Sequence, residues 1–279
     1  MEKPPRRPRP AEAAAKRAAA APRCGAPTGP AAAAAGHDAF RGRPAVPFPP
    51  LTEGVLLRRY KRFLADVAVR GLGTVVAHTP NTGRMTGCSE PGRAVFLSRS
   101  GNPSRRHPWT WEMIRMDAGL VGVNTSLPNR LVRAALEQGA VPGLPAGGRV
   151  ESEVRQGGSR LDLRWLPPDG EGPGCLVEVK NCTWTEGGRA LFPDAPSARA
   201  SRHLAELEGI ARSGGGAMLC VVVQRPDAEV FSPADAVDPA WGRALRSAAA
   251  AGVRVLAFEA ELSLAGAVLG RIIPLSLDP

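Results

Sequence analysis

The segment that most constrains this chain runs from 160 to 180. Arg160 to Trp165 (RLDLRW) alternates, with Leu161, Leu163 and Trp165 on one side and Asp162 and Arg164 on the other. That is the period of a strand with one buried face. PPDGEGPG (167–174) is dense in turn formers and reads as a hairpin connection. The returning run, CLVEVK, sends Val177 and Val179 to the core and turns Glu178 and Lys180, two residues apart, to one polar face. A hairpin of this kind brings two acids and a lysine onto one patch, and Glu153, on the preceding strand, is expected to join them.

Such a patch suits phosphodiester hydrolysis. Asp162 and Glu178 are hard oxygen ligands of the kind Mg²⁺ takes. The metal polarises a phosphate oxygen and lowers the pKa of a bound water. Lys180 orients that water and offsets developing negative charge, and Glu153 is a further ligand, direct or through water. The expected catalytic group is therefore Asp162, Glu178, Lys180 and Glu153, with Asp162 and Glu178 as metal ligands. The spacing resembles the PD-(D/E)xK nuclease motif. An exposed salt-bridge cluster on a sheet edge is the plainer reading of the same spacing.

Around this hairpin the pattern alternates between strand and helix. The sequence predicts strands near 149–154, 160–166, 175–181, 217–224 and 253–258. It predicts helices over 129–138, over about 197–212 and from Asp238-Pro239 onward, the last with Asp as N-cap and Pro in the first turn. Strands alternating with helices argue for an α/β domain.

Upstream the pattern differs. The run 55–69 (VLLRRYKRFLADVAV) reads as a strand, followed by short strands at 75–78, 93–98 and 109–116 with a turn-rich loop over 79–87. An OB-like barrel fits that size and spacing. Charge is concentrated here. Residues 51–115 hold 11 Lys and Arg against 4 acids, whereas 116–279 are net −3 and the whole chain is +10. Cations interleaved with rings suit a nucleic-acid backbone and its bases. The candidate contacts are Arg58, Arg59, Tyr60, Lys61, Arg62, Asn81, Arg105 and Arg106, with Arg160 and Arg202 in the second domain. Phe63 is expected in the core. The loop at Asn81 reads equally as a phosphate-binding nest or a structural turn. His78 and His203 read as structural imidazoles, with ligand contact the alternative. The pattern does not separate DNA from RNA.

The expected architecture is thus an α+β or α/β chain, with an N-terminal OB-like β-barrel (51–117) followed by a nuclease-like α/β domain (118–279). Residues 1–50, rich in Ala, Pro and Arg, read as disordered. An organellar transit peptide, a basic tail and a misplaced start codon all fit that stretch. No apolar run approaches the ~18 residues that span a bilayer, so no membrane partner is expected. A cytoplasmic location is expected, or an organellar one if the first 50 residues are a transit peptide. The five cysteines form no CxxC pair, which points away from a zinc ribbon. The sequence sets no oligomeric state.

Several motifs in order then carry a resemblance: RYKRFLADV (59–67), HTPNTGRMTGC (78–88), GGSRLDL (157–163), EVKN (178–181), FPDA (192–195) and HLAEL (203–207). Over roughly 52–279 the chain resembles the sugar fermentation stimulation protein A family. That resemblance implies an OB-like domain and a nuclease-like domain. It also implies DNA binding without marked sequence preference, and a role in regulating sugar metabolism. It places Asp162, Glu178 and Lys180 in the nuclease-like site. One departure is Ser197-Ala198-Arg199-Ala200, where the family usually has Thr-x-Arg-Gly. Two functions follow: a DNA-binding regulator whose nuclease-like site is inert, and an active Mg²⁺-dependent nuclease. Nothing in the residues supports a sugar-binding site.

Overall fold

A computed structural model describes residues 42–43, 45–172 and 174–278. The expectation of disorder over 1–50 lies outside the described residues up to position 41. Its last part is corrected. Ala45–Pro47 form a strand, β1, paired with the C-terminal strand through Val46↔Ala267. Val46 is buried in the second domain's core, so this short segment has an apolar side chain to offset its ordering.

The first domain is built from β2 (Leu51–Tyr60), β3 (Leu64–Val69), β4 (Gly73–His78), β5 (Ala94–Arg99), β6 (Trp109–Met116) and β7 (Gly119–Gly122). They run in the order β4-β3-β2-β5-β6-β7, and a β4–β6 pairing through Ala77↔Trp109 closes the sheet on itself. Closure removes the exposed edges that an open sheet would present. Leu56, Val67, Val95, Leu97, Trp111 and Ile114 fill the interior.

The run 55–69 is not one strand. It folds back at Lys61–Phe63, where Lys61 (φ 49°) and Arg62 (φ 66°) both take left-handed conformations and Tyr60 pairs with Leu64. Left-handed turn residues match the twist of the strands they join, but here no glycine marks them. The same turn lifts Phe63 out of the core to 43% exposure, contrary to expectation.

The barrel extends past the expected boundary at 117, because β7 pairs with β6 from Gly119 to Gly122. The junction beyond it is polar and buried. Glu112 accepts from Ser98 Oγ (2.6 Å) and from Asn124 Nδ2 (2.7 Å). Gln224 of the second domain donates to Asn124 O and to Asn181 Oδ1, and its carbonyl accepts from Gly122 N. A Cβ on Gly122 would sit 2.2 Å from Gln224 Oε1, so only glycine permits this approach.

The second domain holds a sheet in the order β1-β16-β15-β13-β10-β9-β8. Its strands are β8 (Arg149–Gln156), β9 (Ser159–Leu166), β10 (Cys175–Cys182), β13 (Gly216–Val223), β15 (Arg254–Leu262) and β16 (Gly266–Ile273). β10, β13 and β15 run parallel. β13 is buried on both faces, which explains its continuous apolar sequence. Helix α1 (Leu127–Glu137) covers one face through Leu131, Val132 and Ala135. On the other face lie α2 (Ala198–Arg212), with Leu204 and Leu207, and α3 (Pro239–Ala250), with Trp241 and Leu245. Asp238 caps α3 by accepting from Trp241 N at 3.0 Å, as the Asp-Pro pair predicts. A small sheet of β11 (Trp184–Glu186), β12 (Arg189–Phe192) and β14 (Val230–Pro233) completes the domain.

Candidate metal and nucleic-acid site

The site forms where β9 parts from β10. Their ladder runs from Trp165↔Cys175 to Leu163↔Val177 and stops. One residue on, Asp162 replaces the backbone bond with its side chain: Oδ2 accepts from Val179 N at 2.9 Å. Its Oδ1 accepts from Asn129 Nδ2, in the first turn of α1, also at 2.9 Å. On the neighbouring strand Glu178 and Lys180 share a face, as their spacing requires, and Lys180 Nζ donates to Glu178 Oε1 at 2.5 Å. His203, from α2, hydrogen-bonds the same oxygen through Nδ1.

The electrostatics of the two acids differ. Burial and the neighbouring Glu178 charge raise the Asp162 pKa, and the Val179 and Asn129 donors and Lys180 only partly oppose them. Burial also works against the Glu178 charge, but His203 and Lys180 outweigh it and hold that pKa below the usual carboxylate value. Glu178 is 2% exposed, and its Oε2 is buried with no hydrogen-bond partner. An orphaned buried carboxylate oxygen is costly. A pocket with one such atom and one disfavoured carboxylate is short of positive charge. Asp162 and Glu178 offer hard oxygen donors of the kind Mg²⁺ takes. Among the described residues no group of three or more His, Cys, Asp or Glu is placed to hold a metal ion.

Glu153 does not join the trio. The β8–β9 register sets it opposite Asp162, but its backbone is left-handed (φ 57°) and its exposed carboxylate pairs with Arg160 at 3.3 Å. Beside the trio, between the β8–β9 turn and α2, lies a groove of about 720 Å³ lined by Arg160, Arg199, Arg202, His203 and Glu206. Arg160 and Arg202, predicted from sequence, thus share one surface with Arg199, which lies outside the predicted contacts. Arg199 Nε donates to His203 Nε2 at 3.5 Å. Its place one turn before His203 is the signal that marks it. Asn129 carries no local signal, since it meets Asp162 across 33 residues of chain.

In the barrel the predicted cations divide. Arg59 is not free for a ligand: its guanidinium donates to the carbonyls of Arg62, Asn81, Gly83 and Arg84 and so clasps the 81–84 loop. Asn81 is buried and caps that loop by accepting from Gly83 N, which makes the loop a structural turn. Arg58 pairs with Asp66 (2.7 Å) and lies over the Tyr60 ring, whose hydroxyl also donates to Asp66. Lys61, Arg62 and Arg106 are exposed, with Arg62 Nε donating to Thr82 O. Arg105 is half-buried and donates to Thr110 Oγ1 at 2.9 Å.

A closed OB barrel fused to a mixed α/β sheet, with Asp162 on one strand and Glu178 and Lys180 on the next where the two part, defines a two-domain protein of nuclease-like fold. The model of the "SfsA N-terminal OB domain" matches residues 57–123, and that of the "Sugar fermentation stimulation protein RE domain" matches 126–266. The chain belongs to the sugar fermentation stimulation protein family. It is 51% identical over 216 residues to the sugar fermentation stimulation protein homolog of Pelobacter propionicus, covering 77% of this chain and 93% of that one. The homolog from Geobacter sulfurreducens is 52% identical over 213 residues, covering 76% and 90%. The solved structure of Pyrococcus furiosus SfsA in complex with Ca²⁺ is 27% identical and superposes with a TM-score of 0.76, covering 83% of this chain and 98% of that one. No helix among the described residues is long and apolar enough to cross a membrane.

Proposed function

We propose that this chain binds DNA without marked sequence preference and hydrolyses phosphodiester bonds at Asp162, Glu178 and Lys180 with a divalent ion. The observation that carries the reading is the buried, unpartnered Oε2 of Glu178 beside the disfavoured carboxylate of Asp162. These two residues would hold Mg²⁺, and the Ca²⁺ in the Pyrococcus furiosus relative supports an ion of this class. When bound, the ion supplies charge for a phosphate oxygen and acidifies a water. Asn129 and the Val179 N–H hold the Asp162 carboxylate in place. Lys180 places an ammonium next to the reacting phosphate, where negative charge develops.

A second reading has its own observation. Lys180 already satisfies one Glu178 oxygen, and no third protein ligand stands by among the described residues. On that reading the chain is a DNA-binding regulator with an inert site, and the family's link to sugar fermentation runs through DNA binding alone. Incubation of plasmid DNA and of RNA with Mg²⁺ or Mn²⁺ separates the two. The nuclease reading expects cleavage that Lys180→Ala abolishes while binding is retained. Absence of cleavage of both substrates, with binding that weakens steeply with salt, establishes the regulator instead.

A further inference from the structure

We propose that Phe63 is a base-stacking platform for single-stranded nucleic acid, held at the barrel surface by the left-handed turn Lys61–Arg62. This rests on the nucleic-acid-binding half of the proposed function and not on cleavage. Phe63 is the one aromatic ring among the described exposed large hydrophobic residues. Its exposure comes from two consecutive non-glycine residues with positive φ, a conformation that costs energy and persists where its surroundings enforce it. The surroundings do so here: Arg59 donates to Arg62 O, Arg62 Nε donates to Thr82 O, and Thr79 N donates to Phe63 O at 2.9 Å.

Three other rings of the barrel have a cation over them. Arg58 lies over Tyr60 at 5.0 Å, Arg99 over Trp109 at 5.7 Å and Arg115 over Phe96 at 5.4 Å. Among the described residues Phe63 has none, and its one ring neighbour there, His78, is tilted by 45° at 6.3 Å. Exposed Lys61, Arg62 and Arg84 supply the positive charge that a phosphodiester backbone requires. Contacts then lead from this tip toward the metal site: Arg62 to Thr82, Thr125 to Pro80 O, and Asn129 to Asp162. A base stacks on a ring only when its face is free, which a single strand offers along its length and a duplex only at its ends.

The test is fluorescence anisotropy at one fixed salt concentration with EDTA present, using an oligothymidylate, an oligouridylate and a DNA duplex of equal length. The single strands should bind more tightly than the duplex. Phe63→Ala should weaken single-strand binding about tenfold and change duplex binding less than about twofold. Phe63→Leu should be as weak as Phe63→Ala, and Phe63→Trp should match the wild type, since stacking needs a ring and not mere bulk. Duplex preference, or Phe63→Ala or Phe63→Leu binding single strands like the wild type, overturns the proposal while leaving nucleic-acid binding intact. Failure of the wild type to bind any of the three removes the nucleic-acid reading as well. Thermal melting of Phe63→Ala should match the wild type, because the side chain is exposed.

Discussion

Asn129, two residues into α1, donates its amide to the carboxylate of Asp162 on β9 at 2.9 Å. The helix that follows the barrel thereby fixes one wall of the proposed metal site. Groups that orient a metal ligand in this way typically matter about 10- to 100-fold to metal affinity. Asn129→Ala should weaken Mg²⁺ and Ca²⁺ binding by at least about tenfold while leaving the fold intact. Isothermal titration of the apo protein measures this, and an unchanged affinity would remove Asn129 from the site.

Asp162 makes a prediction about pH. Its folded pKa is raised by burial and by Glu178, so the folded state holds this proton more tightly than the unfolded chain does. The stability associated with Asp162 is then fully present below the unfolded carboxylate pKa and is lost as pH rises through the folded value. Without metal, Asp162→Asn should therefore melt higher than the wild type at neutral pH, with the difference vanishing in acid. Its amide keeps an acceptor for Val179 N–H and a partner for Asn129. With saturating Mg²⁺ the order should reverse, because only the wild type gains binding free energy. Melting curves from acid to neutral pH, with and without metal, check both signs.

Glu178 behaves oppositely. Its folded pKa is lowered against the cost of burial by His203 and Lys180. Its contribution is present above the unfolded pKa and is lost as pH falls through the folded one. Glu178→Gln leaves the 12%-exposed Lys180 side chain without its carboxylate. A loss of about 3 kcal/mol follows, since removing one partner of a buried pair strands the other charge. Urea unfolding at pH 7 reads this directly, and a neutral outcome would mean that the pair relaxes into solvent.

The junction offers a prediction independent of chemistry. Gln224 is fully buried and bonds to Asn124 and Asn181. Gln224→Leu leaves those acceptors without a donor and should cost about 1–3 kcal/mol. Both domains should still unfold in one transition, observable as coincident near- and far-ultraviolet circular dichroism.

Local pattern made much of this legible. The ExK spacing, the Asp-Pro helix start and the apolar run of β13 each depend on near neighbours, and each appears where the sequence sets it; RLDLRW alternates in burial, but Leu161 packs on the α2–α3 side of the sheet and Leu163 and Trp165 on the α1 side. Glu178 and Lys180 share a face and a hydrogen bond because two-residue spacing on one strand suffices, while Asp162 takes its bonds from Val179 N and Asn129. What escaped depends on partners remote in sequence or on backbone no residue type announces. The turn at Lys61–Arg62 is left-handed without glycine, so the pattern reads as one strand where two exist and points Phe63 to the core. Glu153 shares a register with Asp162, yet its twisted backbone hands it to Arg160. Asn129 and Arg199 reach the site from helices whose packing is set by apolar faces elsewhere. Arg59 reads from sequence as a contact for nucleic acid, but its bonds to four carbonyls make it a loop clasp.

The Glu112 carboxyl, set in the barrel wall, takes one of its two hydrogen bonds from Asn124, which lies beyond the last barrel strand. The upstream half therefore depends on its successor to quench an acid of its own. Severed after residue 123, it would keep the acid and lose the quencher, and grafted to a foreign companion it would meet the same deficit. The two shapes are inherited as one.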